Sequence, residues 1–272
     1  MRRTLIILTF CILSLFSFSQ QLRKINNTAF QRGEILTFRA YYDALLTGKV
    51  TAGEATLEIT NENRQIAGRN TFRIVGTGAS KGAFNLFFKV YDRYESIIDE
   101  DALIPWIFIR RVNEGGFKID QDVVFNQFKN IATSNNVTSK KTTKNVTTKV
   151  TSNIQDIISL FYYARTFDVS NIKIGDEYSI NFFIDDSVYV TKLKFLGKET
   201  IKTSLGKFNC LKFKPLVLVG NFFREPYPMT LYVTDDKNHI PLLVESAVIV
   251  GKVKLELIKY SGLKNPLTSK IE

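Results

Sequence analysis

The stretch SNIQDIISLFYYAR, residues 152–165, decides the expected fold, because it is the one strongly helical segment in a chain that otherwise alternates like strands. Ser152 is placed to cap the helix, with Gln155 three residues later as in a capping box. Apolar residues at helical spacing form one stripe: Ile154, Ile157, Ile158 and Phe161. Such a stripe needs an apolar partner, so the sequence predicts one helix over about residues 153–165, packed on a sheet.

The rest of the chain predicts strands, since apolar and polar residues alternate and turn-forming residues separate the runs. The predicted strands cover residues 33–42, 54–60, 69–77, 84–98, 103–112, 116–128, 130–139, 144–151, 177–184, 188–196, 199–203, 208–219, 229–234, 242–250 and 252–260. Short connections favour antiparallel pairing, and many twisted strands tend to curl. We therefore expect a mainly β fold, a single antiparallel meander curled into a barrel or half-barrel with one packed helix.

Several connecting segments carry specific expectations. TGKVTAGE at residues 47–54 reads as a hairpin turn, GTGASKG at residues 76–82 as a glycine-rich bend, and DDKNHIP at residues 235–241 as a tight turn. Residues from Gly262 onward read as a frayed tail.

The amino terminus has the layout of a secretory signal peptide over residues 1–20. Arg2 and Arg3 precede an apolar run, followed by small or polar residues suited to cleavage. A membrane anchor is the alternative, although the run is shorter than the ~20 residues that a span needs. We expect an exported protein of the periplasm or cell envelope, with residues 21–272 as a single domain held by its core, since Cys210 alone remains after cleavage.

The basic charge then bears on partners. Losing the signal peptide lowers the formal net charge from +11 to +9, because that segment carries two arginines and no acid. Export argues against nucleic acid and leaves an anionic envelope surface of lipid headgroups or glycans, or an acidic protein, as the counter-charge, while solubility alone is the simplest interpretation. Lys140, Lys141, Lys144 and Lys149 cluster on a polar predicted hairpin at the sheet edge, which indicates either protection against edge pairing or a docking patch.

The chain also resembles a family of exported bacterial proteins, domain of unknown function 3108. The order and spacing of several local patterns carry the resemblance, not any one of them. They are Gly33-Glu34, Ala52-Gly53, VYDRYESIID at residues 90–99, NEGGF at 113–117, DIISLFYYAR at 156–165, GKFNC at 206–210 and LYVTDDKNHIPLLVES at 231–246. The resemblance implies an exported β-rich envelope protein of one domain and brings no catalytic residues.

The sequence offers no catalytic constellation. His239, the single histidine, reads as an exposed turn residue, and Cys210 as a buried structural thiol more than as a nucleophile paired with it. One histidine and one mature cysteine are too few for a zinc site, and the pairs Asp185-Asp186 and Asp235-Asp236 fit turns better than calcium loops. We expect no metal, no cofactor and no enzymatic activity.

Abundant aromatic residues are the remaining functional signal. Most should be core, but a curled sheet has a concave face that its own side chains, the helix or a ligand must fill. The leading hypothesis is that this face binds an apolar or lipid-like ligand. Its predicted contacts are Phe88, Trp106, Ile157, Phe161 and Tyr162. The alternatives are a structural or interaction module that docks through the basic hairpin or a sheet edge, and an unrecognised hydrolase.

Overall fold

The computed structural model describes residues 21–44, 48–216, 228–247 and 252–271. The predicted signal peptide, residues 1–20, lies outside the described residues. The described residues form one antiparallel sheet and two helices.

The amino-terminal part of the chain contributes nine strands and a short helix. They are β1 (Ile35–Ala44), β2 (Gly48–Ile59), β3 (Arg64–Ile66), β4 (Arg69–Ser80), α1 (Phe84–Phe87), β5 (Tyr91–Asp99), β6 (Pro105–Glu114), β7 (Phe117–Asn126), β8 (Ile131–Thr138) and β9 (Thr142–Lys149). The remainder contributes α2 (Ile157–Ala164), β10 (Glu177–Ile184), β11 (Ser187–Thr203), β12 (Gly206–Pro215), β13 (Met229–Thr234), β14 (Pro241–Ala247) and β15 (Lys252–Ser261).

The strand order confirms the predicted antiparallel meander. It runs β10-β11-β12-β13-β14-β15-β1-β2-β4-β5-β6-β7-β8-β9, with β3 paired to β4. The first and last described strands, β1 and β15, pair in the middle of the sheet. The two outermost strands, β9 and β10, are consecutive in sequence and joined through α2. The helix is therefore the connection between the two edges of the curled sheet.

Side chains bring the two edges together without a ladder between them in the described part of the chain. The β10–β11 turn reaches the other half of the sheet, where Asp185 pairs with Arg110 of β6 and Asp186 accepts a hydrogen bond from Ser134 of β8. The segment before α2 lies along β10, with Gln155 N donating to Asn181 O at 3.0 Å. The sheet is a curled, open barrel, as expected from its many twisted strands.

Helix α2 confirms the predicted amphipathic helix but begins later than predicted. Asp156, not Ser152, is the N-cap: its Oδ1 accepts from Ile158 N at 2.8 Å and Ser159 N at 2.7 Å. Ser159 completes the capping box by accepting from Asp156 N at 2.8 Å. The Ser152–Gln155 box is wrong because Gln155 is committed to β10 and to the Leu103 carbonyl.

The predicted strand over residues 84–98 is wrong in its first half. Residues Phe84–Phe87 form the short helix α1, and the strand begins at Tyr91. Gly82 turns the chain with φ of 57°, and Phe88 N then bonds back to Phe84 O at 2.9 Å. These local bonds override the alternating aromatic pattern.

Other differences concern the ends and joins of elements. TGKVTAGE is largely strand, since β2 starts at Gly48, and the predicted strands 188–196 and 199–203 are one strand with a register shift between Phe195 and Gly197. The GTGASKG bend lies mostly within β4, which continues to Ser80. Parts of two predicted strands, residues 217–219 and 248–250, lie outside the described residues.

The predicted frayed tail is packed. Ser269 is buried and donates through Oγ to Asp236 at 2.7 Å, while Leu263 and Leu267 lie against the second apolar cluster defined below.

The interior divides into three apolar clusters. The first joins α2 to β4–β7 through Ile158, Tyr162, Ile74, Phe108 and Phe125. The second lies under β1, β12, β14 and β15, and the third under β11–β13. Each buried apolar side chain contributes about 1.5–3 kcal/mol. Helix α2 thus packs one face into the first cluster and turns its other face toward the remaining strands.

Candidate functional site

Two apolar clefts flank the second face of α2. Cleft 1, of about 260 Å³, lies between α2 and β10–β13. Cleft 2, of about 460 Å³, lies between α2 and the strands β1, β2, β4, β5 and β13–β15. Both clefts are lined by Ile157, Phe161, Pro215, Leu231 and Pro241. These five shared side chains form the boundary between the clefts, so the two are adjacent.

The sequence places this apolar surface through the periodicities of helix and strand. Ile157 and Phe161 are four residues apart and lie on one face of α2, whereas Ile158 and Tyr162 lie on the buried face. Leu231 and Val233 alternate along β13 and both line cleft 1. Small residues of β2 and β4, namely Ala55, Gly76 and Gly78, leave the room that cleft 2 occupies.

Cleft 1 has a polar end formed by Arg165 and His239. His239 Nδ1 lies 2.8 Å from the Arg165 carbonyl oxygen, which can only accept, so Nδ1 carries the proton. The prediction of an exposed turn histidine is therefore corrected: the residue is half-buried and held in a left-handed conformation with φ of 45°.

Arg165 at the carboxyl end of α2 is held by a buried ion pair. Its Nη2 donates to Glu34 Oε2 at 2.8 Å and its Nε to Asn238 O at 3.0 Å. Arg165 and Glu34 are 3% and 0% exposed, so neither charge is left to water. Because the charges compensate each other, this end of cleft 1 carries little net charge.

The other end of α2 is anchored by a buried carboxylate. Burial raises the pKa of Asp156 to about 6, although hydrogen bonds from Ser96 and from the first turn of the helix act in the opposite direction. Ser96 Oγ of β5 donates to Asp156 Oδ2 at 2.5 Å. Ionisable side chains thus fix both ends of the helix: Asp156 to strand β5, and Arg165 to the loops that hold Glu34 and Asn238.

Cleft 2 also has a polar margin, formed by Asp92 and Tyr94 of β5. Burial, followed by the negative charge of Asp92, raises the pKa of Tyr94 to about 12, so the phenol stays protonated. Asp92 accepts from Asn113 N at 3.0 Å, which ties this margin to β6.

The structure separates the five predicted ligand contacts into two groups. Ile157 and Phe161 line both clefts. Tyr162 is fully buried against Phe30 in the first cluster, and Trp106 is 5% exposed with Nε1 3.3 Å from Asp99 Oδ2. Phe88 is 44% exposed beside α1 and lines neither cleft. Which of them contact a ligand stays a prediction, but only the first two lie where the clefts are.

Sequence reasoning missed most of the cleft lining on the sheet. Leu231 and Pro241 lie on neighbouring strands late in the chain and meet Phe161 only through the fold. Alternation along residues 229–234 predicts which side chains face inward. It does not predict which of those inward side chains border a cleft. Arg165 was likewise visible only as the last residue of the helical stretch.

The residues weighed for catalysis do not converge. Cys210 is fully buried with its Sγ 3.8 Å from Phe208 O, and His239 engages the Arg165 carbonyl instead of the thiol. Burial, with nearby carboxylates, raises the pKa of Cys210 to about 12. Across the described ranges, no three histidine, cysteine, aspartate or glutamate side chains come together as metal ligands. None of the described helices is long and apolar enough to cross a membrane.

Comparisons with known proteins place the chain in a family and a fold. A family model described as a protein of unknown function, DUF3108, matches residues 37–258. No curated protein matches the chain. A β-barrel-like protein of domain of unknown function DUF1849 from Brucella abortus has a similar structure, with a TM-score of 0.55 at 8% identity. The match covers 86% of this chain and 99% of that one, which shows a shared fold.

Two further structures are similar at lower scores. One is a candidate exported protein with a YmcC-like fold from Bacteroides fragilis, with a TM-score of 0.36, 9% identity and coverage of 89% of this chain and 100% of that one. The other is a candidate lipoprotein from Parabacteroides distasonis, with a TM-score of 0.31, 12% identity and coverage of 89% and 100%.

Proposed function

The chain belongs to the DUF3108 family of proteins of unknown function, and from that premise we propose that it is an exported, non-enzymatic envelope protein that binds an apolar or lipid-like ligand in the clefts beside α2. The observation that carries the proposal is the pair of adjacent clefts lined almost wholly by apolar side chains on both helix and sheet. Ligand pockets typically measure roughly 300–1,000 Å³ and are mostly apolar with a few polar groups. Cleft 2, at about 460 Å³, lies within this range, and cleft 1, at about 260 Å³, is smaller but adjoins it.

Export is supported by the sequence of residues 1–20, whose charged start and apolar run have the layout of a signal peptide. The non-enzymatic assignment is supported by the environment of Cys210, whose raised pKa disfavours the reactive thiolate. It is supported also by the neutralised ion pair at the end of cleft 1, which provides no free charged group for chemistry there.

The arrangement favours a single-chain ligand with a small polar end. His239 lines cleft 1, and its protonated Nδ1 leaves Nε2 as an acceptor in the neutral ring. A hydroxyl group is the headgroup best suited to donate to that nitrogen, while the chain would occupy the apolar walls. Cleft 2 offers further apolar volume across the Phe161 boundary.

The test replaces side chains that both clefts share. Phe161→Asp places a charge between the clefts, and Leu231→Trp fills them without adding charge, so both should reduce retention of a 1-monoacylglycerol probe at least tenfold. Lys141→Glu, on the exposed β8–β9 turn, is the surface control and should leave retention unchanged. Circular dichroism establishes that each variant is folded. Full retention by folded Phe161→Asp and Leu231→Trp would refute the proposal.

A second candidate function is docking to an anionic envelope surface through the hairpin of β8 and β9. The observation favouring it is that β9 is the outermost strand and that Lys140, Lys141, Lys144 and Lys149 are all exposed. Exposed charge contacts are screened by salt. The test is binding to phosphatidylglycerol vesicles. Loss of binding in the triple variant Lys140→Glu, Lys141→Glu, Lys144→Glu and in 0.5 M salt, where the Debye length is only about 4 Å, would support docking through the hairpin. Salt-independent binding would refute it.

A further inference from the structure

One end of the curled sheet carries large apolar side chains that face solvent. Leu86 and Phe87 of α1 are 80% and 88% exposed, the highest values among the large apolar residues described. Phe117, at the start of β7, is 38% exposed. Burying such side chains is favourable, so exposed apolar residues grouped at one end of a sheet indicate a binding surface.

Hydrogen bonds place these residues at the same end of the sheet. Gly115 N, in the β6–β7 turn that leads to Phe117, donates to Lys89 O at 2.8 Å, just after α1. Lys118 N donates to Ser139 Oγ at 2.8 Å, which brings in the β8–β9 turn. Helix α1 and two hairpin turns therefore form one continuous rim, which we call the docking rim: residues 81–91, 114–118 and 138–142.

The display of Leu86 and Phe87 is built into the local structure. Phe84 and Phe88 pack against each other with ring centroids 6.3 Å apart, and the ring of Phe88 lies directly over Gly115, where an added Cβ would come within 2.4 Å of it. Ser80 Oγ donates to Asn85 Oδ1 at 2.5 Å and accepts from Val90 N at 2.9 Å. These contacts fix the turn, so the two exposed side chains are held outward.

Lysines surround the apolar residues of the docking rim. Exposed lysines stand at both ends of the tip sequence KGAFNLFFK and on the two neighbouring turns: Lys81, Lys89, Lys118, Lys140 and Lys141. Glu114 is the one acidic residue within the docking rim. Burial, followed by the charge of Asp92, raises the pKa of Glu114, which reduces the negative charge that it places beside the lysines. Apolar side chains ringed by lysines match the boundary between acyl chains and anionic headgroups in a bilayer.

We propose that the docking rim binds the surface of an anionic lipid bilayer, with Leu86 and Phe87 inserted among the acyl chains. This goes beyond the ligand proposal and deepens the second candidate function, on whose lysines it partly rests, by naming the surface and adding the inserted residues. The rim adjoins cleft 2, since a shallow pocket lined by Phe84 and Val90 shares Ala55 and Gly78 with that cleft. A lipid leaving the bilayer at the rim would thus meet the apolar cleft next.

The experiment is co-sedimentation of the full chain with phosphatidylglycerol vesicles and with phosphatidylcholine vesicles. The double variant Leu86→Ser, Phe87→Ser removes insertion without touching the core and should weaken binding to the anionic vesicles at least tenfold. Ile174→Ser is the matched control, since Ile174 is 75% exposed outside the rim, and it should bind like the wild type. Binding to phosphatidylcholine should be weaker by a similar factor.

The outcomes separate the two ideas. Loss of binding in Leu86→Ser, Phe87→Ser but not in Ile174→Ser supports the rim. If only the triple lysine variant loses binding, docking through the basic hairpin holds and the inserted tip is refuted. The docking rim is refuted if the wild type binds neither kind of vesicle, or if Ile174→Ser loses as much vesicle binding as the double variant. This conclusion does not depend on whether the clefts retain a ligand.

Discussion

Arg165 and Glu34 form a buried ion pair that joins the end of α2 to the loop before β1, 131 residues away in sequence, with Nη2 2.8 Å from Oε2. The guanidinium also lies over the rings of Phe30 and Tyr162, at 5.4 and 5.2 Å from their centroids. The helix that separates the clefts is therefore fixed by charge and by aromatic contact at one point.

Removing one partner of this pair should be costly. Glu34→Gln leaves the Arg165 charge uncompensated in the interior and should lower the free energy of unfolding by about 3–5 kcal/mol in urea titrations. Glu54→Gln is the control: it breaks the Arg39–Glu54 pair, whose side chains are 39% and 32% exposed, and should cost no more than about 1 kcal/mol. Similar losses in both variants would contradict the assigned role of the buried pair.

Asp156 should make stability depend on pH with an unusual sign. Its pKa rises from 3.8 in the unfolded chain to about 6 in the folded protein, so the folded state binds the extra proton between those values. The stability contributed by this group is therefore present at pH 4 and is lost as pH rises through 6, by up to about 3 kcal/mol.

The variant Asp156→Asn isolates this effect, because the amide can still accept at the N-cap but does not titrate. The free energy of unfolding of the wild type minus that of the variant should fall between pH 4 and 7, measured by denaturant titration. Glu58→Gln, at an exposed carboxyl, serves as control and should show little such trend. A wild-type minus Asp156→Asn difference that stays flat over this range would show that Asp156 is not buried as described.

Gly53 and Gly78 should differ in their tolerance of alanine. A Cβ on Gly53 would lie 2.5 Å from the Ala79 carbonyl oxygen in the neighbouring strand, whereas a Cβ on Gly78 meets nothing within 4 Å. Gly53→Ala should thus destabilise by about 1–3 kcal/mol, and Gly78→Ala should be near neutral or slightly stabilising, since glycine weakens strands. Thermal unfolding of the two variants compares them; equal melting temperatures would contradict the close approach of β2 and β4.

Cys210 should be unreactive in the folded protein. The thiolate is the reactive form, and burial raises the pKa of this thiol to about 12. Iodoacetamide at neutral pH should label Cys210 only after unfolding in urea, as read by peptide mass mapping, which separates it from Cys11. Thr142→Cys on the exposed strand β9 provides a thiol that should label at once. Prompt labelling of Cys210 itself would place it outside the core.

The architecture was predictable because it depends on patterns local in sequence. Alternation along the strands and the stripe of Ile154, Ile157, Ile158 and Phe161 predict a curled antiparallel sheet with one packed helix, and the structure confirms it. The helix start was wrong by a few residues, since Asp156 and Ser159 cap it instead of Ser152 and Gln155. Tertiary contacts decide between the two candidate caps: Ser96 binds Asp156, and the edge of β10 binds Gln155 and takes it out of the helix.

The candidate site was only partly predictable, because it depends on contacts distant in sequence. Ile157 and Phe161 follow from the helical stripe, but Leu231 and Pro241 reach the clefts through strand order alone. The sequence predicts an exposed turn residue at His239, because the Arg165 carbonyl that orients its ring lies 74 residues away in the chain. The outward tip at Leu86 and Phe87 was hidden by an aromatic alternation typical of strands.

The central claim, that the clefts beside α2 hold an apolar ligand, is tested most directly by native mass spectrometry of the protein purified without detergent, with Phe161→Asp purified in parallel. The account predicts a wild-type species that carries a stoichiometric lipid-sized mass, released by solvent extraction and missing from Phe161→Asp. Wild-type protein that shows only the mass of the bare chain, and that also fails to take up an added 1-monoacylglycerol, would contradict it.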